Sequence, residues 1–199
     1  WEEEHVPAIL NVWFGGSEAA YAISDVLFGD VNPSGKLTAT FPQNVGQIPL
    51  FYNHKNTGRP LQEGRWFEKF RSNYLDVSNE PLYPFGYGLS YTTFAYSNMV
   101  AEKTGEHQVT VSFDIENTGK MDASEVAQVY VHDVQSSVPR PLKELKGYEK
   151  VFLKKGEKKR VSVVLDEDAF SFYDMNQHRF VVEKGDFEIL VGPASSQLP

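Results

Sequence analysis

The sequence contains no cysteine among its 199 residues. That absence excludes disulfide bonds, thiolate zinc sites and cysteine nucleophiles. The sequence also lacks any run of about 18 apolar residues, so it predicts no membrane-spanning helix. Basic side chains are few: 19 Lys and Arg stand against 27 Asp and Glu, which gives a formal net charge of −8. A nucleic-acid-binding protein needs a basic face, and this balance argues against one.

The composition that remains is typical of a folded globular protein, with 41% hydrophobic and 23% charged residues. The length allows one large domain or two small ones. Residues 1–5 (WEEEH) contain neither the initiating methionine nor the basic and apolar segments of a signal peptide. We therefore expect that the chain is processed or is cut from a longer one.

Residues 1–50 have an α/β pattern. The nearly continuous apolar run at 8–13 predicts a strand buried on both faces, as in a parallel sheet. Residues 17–28 have helical spacing of apolar side chains and stop at Gly29. A further strand is predicted at 36–41. Two strands and one helix cannot cover a parallel sheet, so we expect the missing strands upstream or in another molecule.

Residues 43–93 show little periodicity but hold ten aromatic residues, four prolines and five glycines. A stretch this long without secondary structure is unusual inside a compact domain. Two interpretations stay open. The segment is a connector that packs its rings onto two domains, or part of it lines a ligand pocket.

Residues 94–199 have an all-β pattern, since apolar and polar side chains alternate strictly over 109–116. Glycine-containing turns at 154–157 and 183–186 predict hairpins, with positive φ at each glycine. A single helical turn is predicted at 166–170. About seven short strands in regular order predict an immunoglobulin-like sandwich of the fibronectin-III-like type; they lie near residues 96–102, 109–116, 126–131, 145–153, 160–165, 179–182 and 186–191. The fold class is therefore mainly β, preceded by a partial α/β segment and a long aromatic-rich connector.

Few residues form a pattern that carries chemistry. Ser17 follows a glycine pair between the predicted strand and helix, which is the setting of a nucleophile elbow; the simpler interpretation is that it caps the helix. Glycoside hydrolysis needs two carboxylates, and no convincing pair stands out among Glu18, Asp25, Asp30 and the acidic run 166–168. The five histidines lack metal-ligand spacing. We predict no metal site and no cofactor.

Three sequence blocks resemble glycoside hydrolase family 3, the β-glucosidases and β-xylosidases. They are residues 7–20 (PAILNVWFGGSEAA), residues 22–37 (AISDVLFGDVNPSGKL) running into 40–42 (TFP), and residues 83–94 (YPFGYGLSYTTF). Residues 46–49 (GQIP) and 52–60 (YNHKNTGRP) look like the periplasmic bacterial β-glucosidases of that family. The resemblance covers the whole chain.

The resemblance implies a layout. Family members have a (β/α)8 barrel, then an α/β sandwich domain, then often a fibronectin-III-like domain. It implies that residues 1–50 are the incomplete end of the α/β sandwich, 51–93 a connector and 94–199 the fibronectin-III-like domain. The family's nucleophilic Asp and acid/base Glu would both lie upstream, so no catalytic residue is expected in this chain.

The implied function is that of the C-terminal part of a retaining β-glucosidase, periplasmic or extracellular, with this chain as a scaffold that is inactive alone. The implied partners are the upstream domains and a carbohydrate substrate; the apolar run at 8–13, without its sheet, would also allow a homodimer. The alternative is a carbohydrate-binding or spacer module with no hydrolytic role, and an esterase using Ser17 is a third reading. The residues expected to contact substrate are Trp13, Phe14 and Glu18 at the end of the predicted strand, and Tyr52, Asn53, His54 and Arg59 in the aromatic loop.

Overall fold

The computed structural model describes residues 1–62 and 64–198. Before residue 94 its regular elements are short: helix α1 (Glu2–His5), helix α2 (Ala19–Phe28) and a 3-10 turn (Val45–Gln47). Helix α2 confirms the predicted helix. It ends at Gly29, whose φ of 83° is left-handed and whose N–H donates to the Val26 carbonyl at 3.2 Å.

The predicted cap of α2 is wrong. The helix begins at Ala19, so Glu18 rather than Ser17 occupies the capping position. No side-chain hydrogen bond caps this end. The chain instead enters the helix through Gly16, which has a φ of 69° and whose carbonyl accepts from the Ala19 N–H at 3.3 Å.

The two predicted strands of the N-terminal segment are also wrong. Residues 8–13 take no strand partner within the described chain, and Ile9, Val12 and Trp13 are 53%, 42% and 61% exposed. A strand exists only where neighbouring backbone groups pair with it. Residues 36–41 have such a neighbour only in part: Leu37 exchanges hydrogen bonds with residues 86 and 87, and Phe41 bridges Tyr83.

The second half is a sandwich of two three-stranded antiparallel sheets, and the predicted mainly β fold is confirmed. Its elements are β1 (Phe94–Gly105), β2 (Gln108–Asn117), β3 (Ala123–Asp133), β4 (Glu144–Leu153), β5 (Lys158–Leu165), helix α3 (Glu167–Phe170), β6 (Phe172–Asp174), β7 (Arg179–Val181) and β8 (Phe187–Gly192). One sheet has the order β1-β2-β5 and the other the order β4-β3-β8, while β6 and β7 form a separate hairpin.

The core lies between the two sheets and follows from the alternation of β2. Val111, Phe113 and Ile115 are at most 1% exposed, and they pack against residues of the facing sheet such as Val129 and Leu153. Burying side chains of this size contributes roughly 1.5–3 kcal/mol each. The sandwich therefore contains its own hydrophobic core.

The two predicted hairpin turns have different outcomes. Gly156 has the expected positive φ of 73°, in the turn that joins β4 to β5. The turn at residues 183–186 is not a hairpin, because β7 pairs with β6 and β8 pairs with β3. Gly185 accordingly has no positive φ. The short strand β6 was not predicted, since three residues are too few to show a period.

Candidate functional site

Three of the seven predicted substrate-contacting residues lie on the surface just before helix α2. The Phe14 side chain is fully exposed and Glu18 is exposed. Trp13 meets the Phe41 ring edge-on at 6.1 Å between centroids, and its backbone φ of 45° lies in the left-handed region. Such a conformation is uncommon for a bulky residue and concentrates at functional sites.

The other four lie in the predicted connector, residues 51–93, and one of them packs against the outside of the sandwich. Tyr52 stacks on Phe85 at 4.2 Å and meets Tyr130 of β3 edge-on at 5.9 Å. Its hydroxyl accepts a hydrogen bond from the Leu145 N–H at 3.1 Å. Tyr52 therefore anchors the connector to the outer face of the sheet β4-β3-β8.

Asn53, His54 and Arg59 follow on the exposed side of the connector. The carbonyl of His54 accepts from the Leu142 N–H at 3.1 Å, and that of Arg59 accepts from the Ser72 N–H at 2.9 Å. Within the described chain, neither a hydrogen bond nor an aromatic contact joins this group to Trp13, Phe14 or Glu18. The seven residues therefore fall into two patches that make no direct hydrogen bond or ring contact with each other in the described chain.

Ser17 stands alone in the structure. Its hydroxyl has no hydrogen-bond partner in the part of the chain that is described, histidine included. An acyl-transfer serine needs a base within hydrogen-bond reach. The geometry gives the elbow hypothesis no support.

The acidic candidates also make no catalytic arrangement. Asp166 caps helix α3 by accepting from the Asp168 N–H at 3.2 Å. Over residues 1–62 and 64–198, no group of three or more His, Asp or Glu side chains could hold a metal ion. In the same residues, no helix combines the length and the apolarity needed to cross a membrane.

A buried polar joint, which sequence reasoning missed, ties the N-terminal segment to the sandwich. The Lys36 ammonium donates to the Glu125 carboxylate at 3.1 Å and to the Gly88 carbonyl at 3.3 Å. The Tyr96 hydroxyl donates to the same carboxylate oxygen at 3.0 Å. Burial, and then the neighbouring carboxylate, raise the pKa of Tyr96 far above its ordinary value.

A second part of the joint explains why residue 86, in the 83–94 block, is a glycine. The Gln128 amide of β3 donates to the Gly86 carbonyl at 3.0 Å and accepts from the Tyr130 hydroxyl at 2.5 Å. A Cβ on Gly86 would collide with this amide, and the φ of Gly86 is 79°. Glu125 and Gln128 could have been noticed as polar side chains within the otherwise apolar centre of β3.

Comparisons with known proteins show which domain families this chain matches. Residues 1–91 match the glycosyl hydrolase family 3 C-terminal domain, and residues 125–195 match the fibronectin type III-like domain.

The chain belongs to glycosyl hydrolase family 3.

Relatives from this family align along nearly its whole length. The periplasmic β-glucosidase of Salmonella typhimurium is 46% identical over 99% of the chain, and the thermostable β-glucosidase B of Acetivibrio thermocellus is 43% identical over 98%. The chain spans 26% of the length of each of these two relatives. The crystal structure of a β-glucosidase from Listeria innocua in complex with gluconolactone superposes with a TM-score of 0.88, at 44% identity, over 95% of this chain and 26% of that one.

Proposed function

We propose that the chain acts as the C-terminal part of a retaining β-glucosidase that releases terminal β-D-glucosyl residues. The observation that carries this proposal is the nearly end-to-end match to enzymes named β-glucosidases, in both sequence and fold. In a retaining mechanism one carboxylate attacks the anomeric carbon and a second carboxyl group protonates the leaving oxygen. The two carboxyl groups lie about 5–5.5 Å apart. We propose that upstream domains supply both groups.

The role proposed for this chain is structural support and part of the substrate rim. The division into residues 1–50, 51–93 and 94–199 belongs to the same proposal. The apolar side chains of the N-terminal segment support it: Leu27 and Phe28 are 62% and 83% exposed, in addition to Ile9 and Val12. Apolar surface of this kind normally lies against another protein surface. We assign it to an upstream α/β sandwich domain and (β/α)8 barrel, with a second copy as the competing occupant.

Substrate contact is proposed for the exposed members of both patches: Trp13, Phe14, Glu18, Asn53, His54 and Arg59. Tyr52 would act through the connector that it anchors, as a positioning residue. The relative named as periplasmic supports a periplasmic or extracellular location.

The first test is an assay of the purified chain with an aryl β-glucoside and an aryl acetate. The proposal predicts no glycoside turnover, because the catalytic carboxylates are absent, and no ester turnover, because Ser17 has no base. Glycoside turnover by the pure chain would contradict it. Ester turnover that disappears in Ser17→Ala would restore the esterase reading.

The substrate rim has a separate test in the full-length enzyme. Glu18→Ala and Arg59→Ala should each lower kcat/KM for aryl β-glucosides, with Glu149→Ala on the exposed edge of β4 as the control. Unchanged values in both variants would remove these residues from the rim while leaving the β-glucosidase proposal intact.

A further inference from the structure

A pocket of about 590 Å³ opens on the side of the sandwich. Its walls come from the connector at Lys55, from the loop before β4, and from the β6–β7 hairpin with helix α3. The volume lies within the range of about 300–1,000 Å³ typical of small-molecule sites. None of the seven residues assigned above lines it.

The floor of the pocket holds an arginine with unused donors. The Arg140 side chain is 6% exposed. It donates to Asp133 at 3.3 Å, to the Phe170 carbonyl at 2.8 Å and to Glu144 at 2.8 Å. A guanidinium has five N–H groups, so two of them lack an acceptor among the described residues. These donors belong to a side chain that lines the pocket, so they are available to an oxygen atom of a ligand.

The charges around the pocket balance. Three cationic side chains line it: Lys55, Arg140 and Lys146. Two carboxylates, those of Glu144 and Asp168, also line it, and a third, that of Asp133, pairs with Arg140. Lys55 and Asp168 make no ion pair with any described residue. This balance favours a neutral ligand over an ion. Hydroxyl groups suit it, because each can donate to a carboxylate and accept from an ammonium.

The hairpin gives the pocket an aromatic wall. Tyr173 of β6 lies directly opposite Phe180 of β7, and the rings meet edge-to-face at 5.4 Å. Both remain well exposed, at 46% and 65%. The Asp174 carboxylate fixes the turn of the hairpin by accepting from the Asn176 N–H at 2.7 Å. Exposed rings next to polar side chains match a molecule with one C–H face and a rim of hydroxyls.

We propose that this pocket binds a pyranose unit of a neutral oligosaccharide. The Tyr173–Phe180 pair takes the C–H face of the ring, while Arg140, Lys55 and Asp168 take its hydroxyls. The expectation that the unit is glucosyl rests on the proposed function. The pocket itself does not rest on that function, because residues of this chain alone line it.

The test is a titration of the 199-residue chain with cellobiose and with laminaribiose, followed by calorimetry or saturation-transfer NMR. We expect binding in the millimolar range and at least about a tenfold weakening in Tyr173→Ala. The matched control is Tyr148→Ala on β4 outside the pocket, a tyrosine that is 67% exposed against 46% for Tyr173, and this variant should bind like the parent chain. Absence of binding, or equal weakening in both tyrosine variants, would overturn the proposal.

A second variant keeps the test decisive if Tyr173→Ala unfolds the β6–β7 hairpin. Asp168→Asn removes a carboxylate that holds no side-chain hydrogen bond in the described structure, so the thermal midpoint should not change while binding weakens. Binding that is unaffected by both Asp168→Asn and Tyr173→Ala would also overturn the proposal. Because the readout is binding by the chain itself, this failure differs from failure of the β-glucosidase proposal, which is read as turnover.

Discussion

Replacing Lys36 with methionine should loosen the N-terminal segment from the sandwich. Lys36 and Glu125 are 89 residues apart in sequence, and their side chains are 12% and 4% exposed. Removing one partner of a buried ion pair costs about 3–5 kcal/mol, because the remaining charge stays buried. Tyr96 still donates to Glu125 in the variant, and the methionine side chain preserves the packing of the lysine stem. We therefore expect about 3 kcal/mol, the lower end of that range.

Native-state hydrogen exchange measures this opening directly. The Leu37 N–H donates to the Tyr87 carbonyl and the Gly86 N–H to the Leu37 carbonyl, each at 2.8 Å. Both amides become exposed when the segment detaches, so their protection should fall roughly a hundredfold in Lys36→Met. Amides of Phe113 and Val129, in the sandwich core, should keep their protection.

Two controls decide whether the buried charge is the cause. Lys159→Met breaks the surface pair with Glu157, which is 3.3 Å long against 3.1 Å for the buried pair, and it should leave the exchange rates unchanged. The double variant Lys36→Met with Glu125→Gln removes both charges and retains an acceptor for Tyr96, so it should be less affected than Lys36→Met alone. A double variant as open as the sum of the single ones would refute the reasoning.

Three further predictions concern the sandwich and its joint. Leu153→Ala removes a fully buried side chain and should lower the free energy of unfolding by about 2–5 kcal/mol in urea titrations; Leu75→Ala, at 82% exposure, should have little effect, and equal losses would contradict the assigned core. Gly88→Ala would push a Cβ into the Gly35 carbonyl, so the Leu37 amide should lose protection; normal protection would contradict the close approach. Burial raises the pKa of Tyr96 and of Tyr130 above 10.0; above pH 10 the unfolded chain therefore releases phenolic protons that the folded chain retains, and stability should fall as pH rises. That fall, followed as the urea midpoint, should be shallower in Tyr96→Phe, and an unchanged slope would contradict the assignment.

The sandwich could be predicted because its information is local. In β2, Val111, Phe113 and Ile115 alternate with polar residues, and that period of two alone fixes which side faces the core. Gly156 indicated the turn between β4 and β5, because glycine adopts a positive φ readily. The pairing of β8 with β3 instead of β7 was not local, so the turn before β8 was misassigned.

The N-terminal segment could not be predicted in the same way. The apolar run at residues 8–13 specifies a buried strand only when neighbouring strands are present, and the described residues provide none. Strand formation at residues 8–13 therefore depends on neighbouring strands and not on the local sequence alone. The prediction of the helix at 17–28 did not depend on neighbours, because its hydrogen bonds close within the segment itself.

The candidate site shows the same limit. Tyr52 was expected at a sugar because of its aromatic ring and polar neighbours, yet its ring packs on Phe85 and Tyr130. Tyr130 is distant in sequence, and no local pattern indicates which way the Tyr52 ring turns. The pocket at Arg140 was missed for a related reason, since four separate segments meet there.

The most direct measurement of the central claim is turnover by a chimera. The Salmonella typhimurium periplasmic β-glucosidase, with the quarter of its sequence that matches this chain replaced by the 199 residues, would be assayed on an aryl β-glucoside beside the truncated enzyme and the isolated chain. We predict turnover in the chimera and none in either part. A folded chimera without turnover, or turnover by the isolated chain, would contradict it.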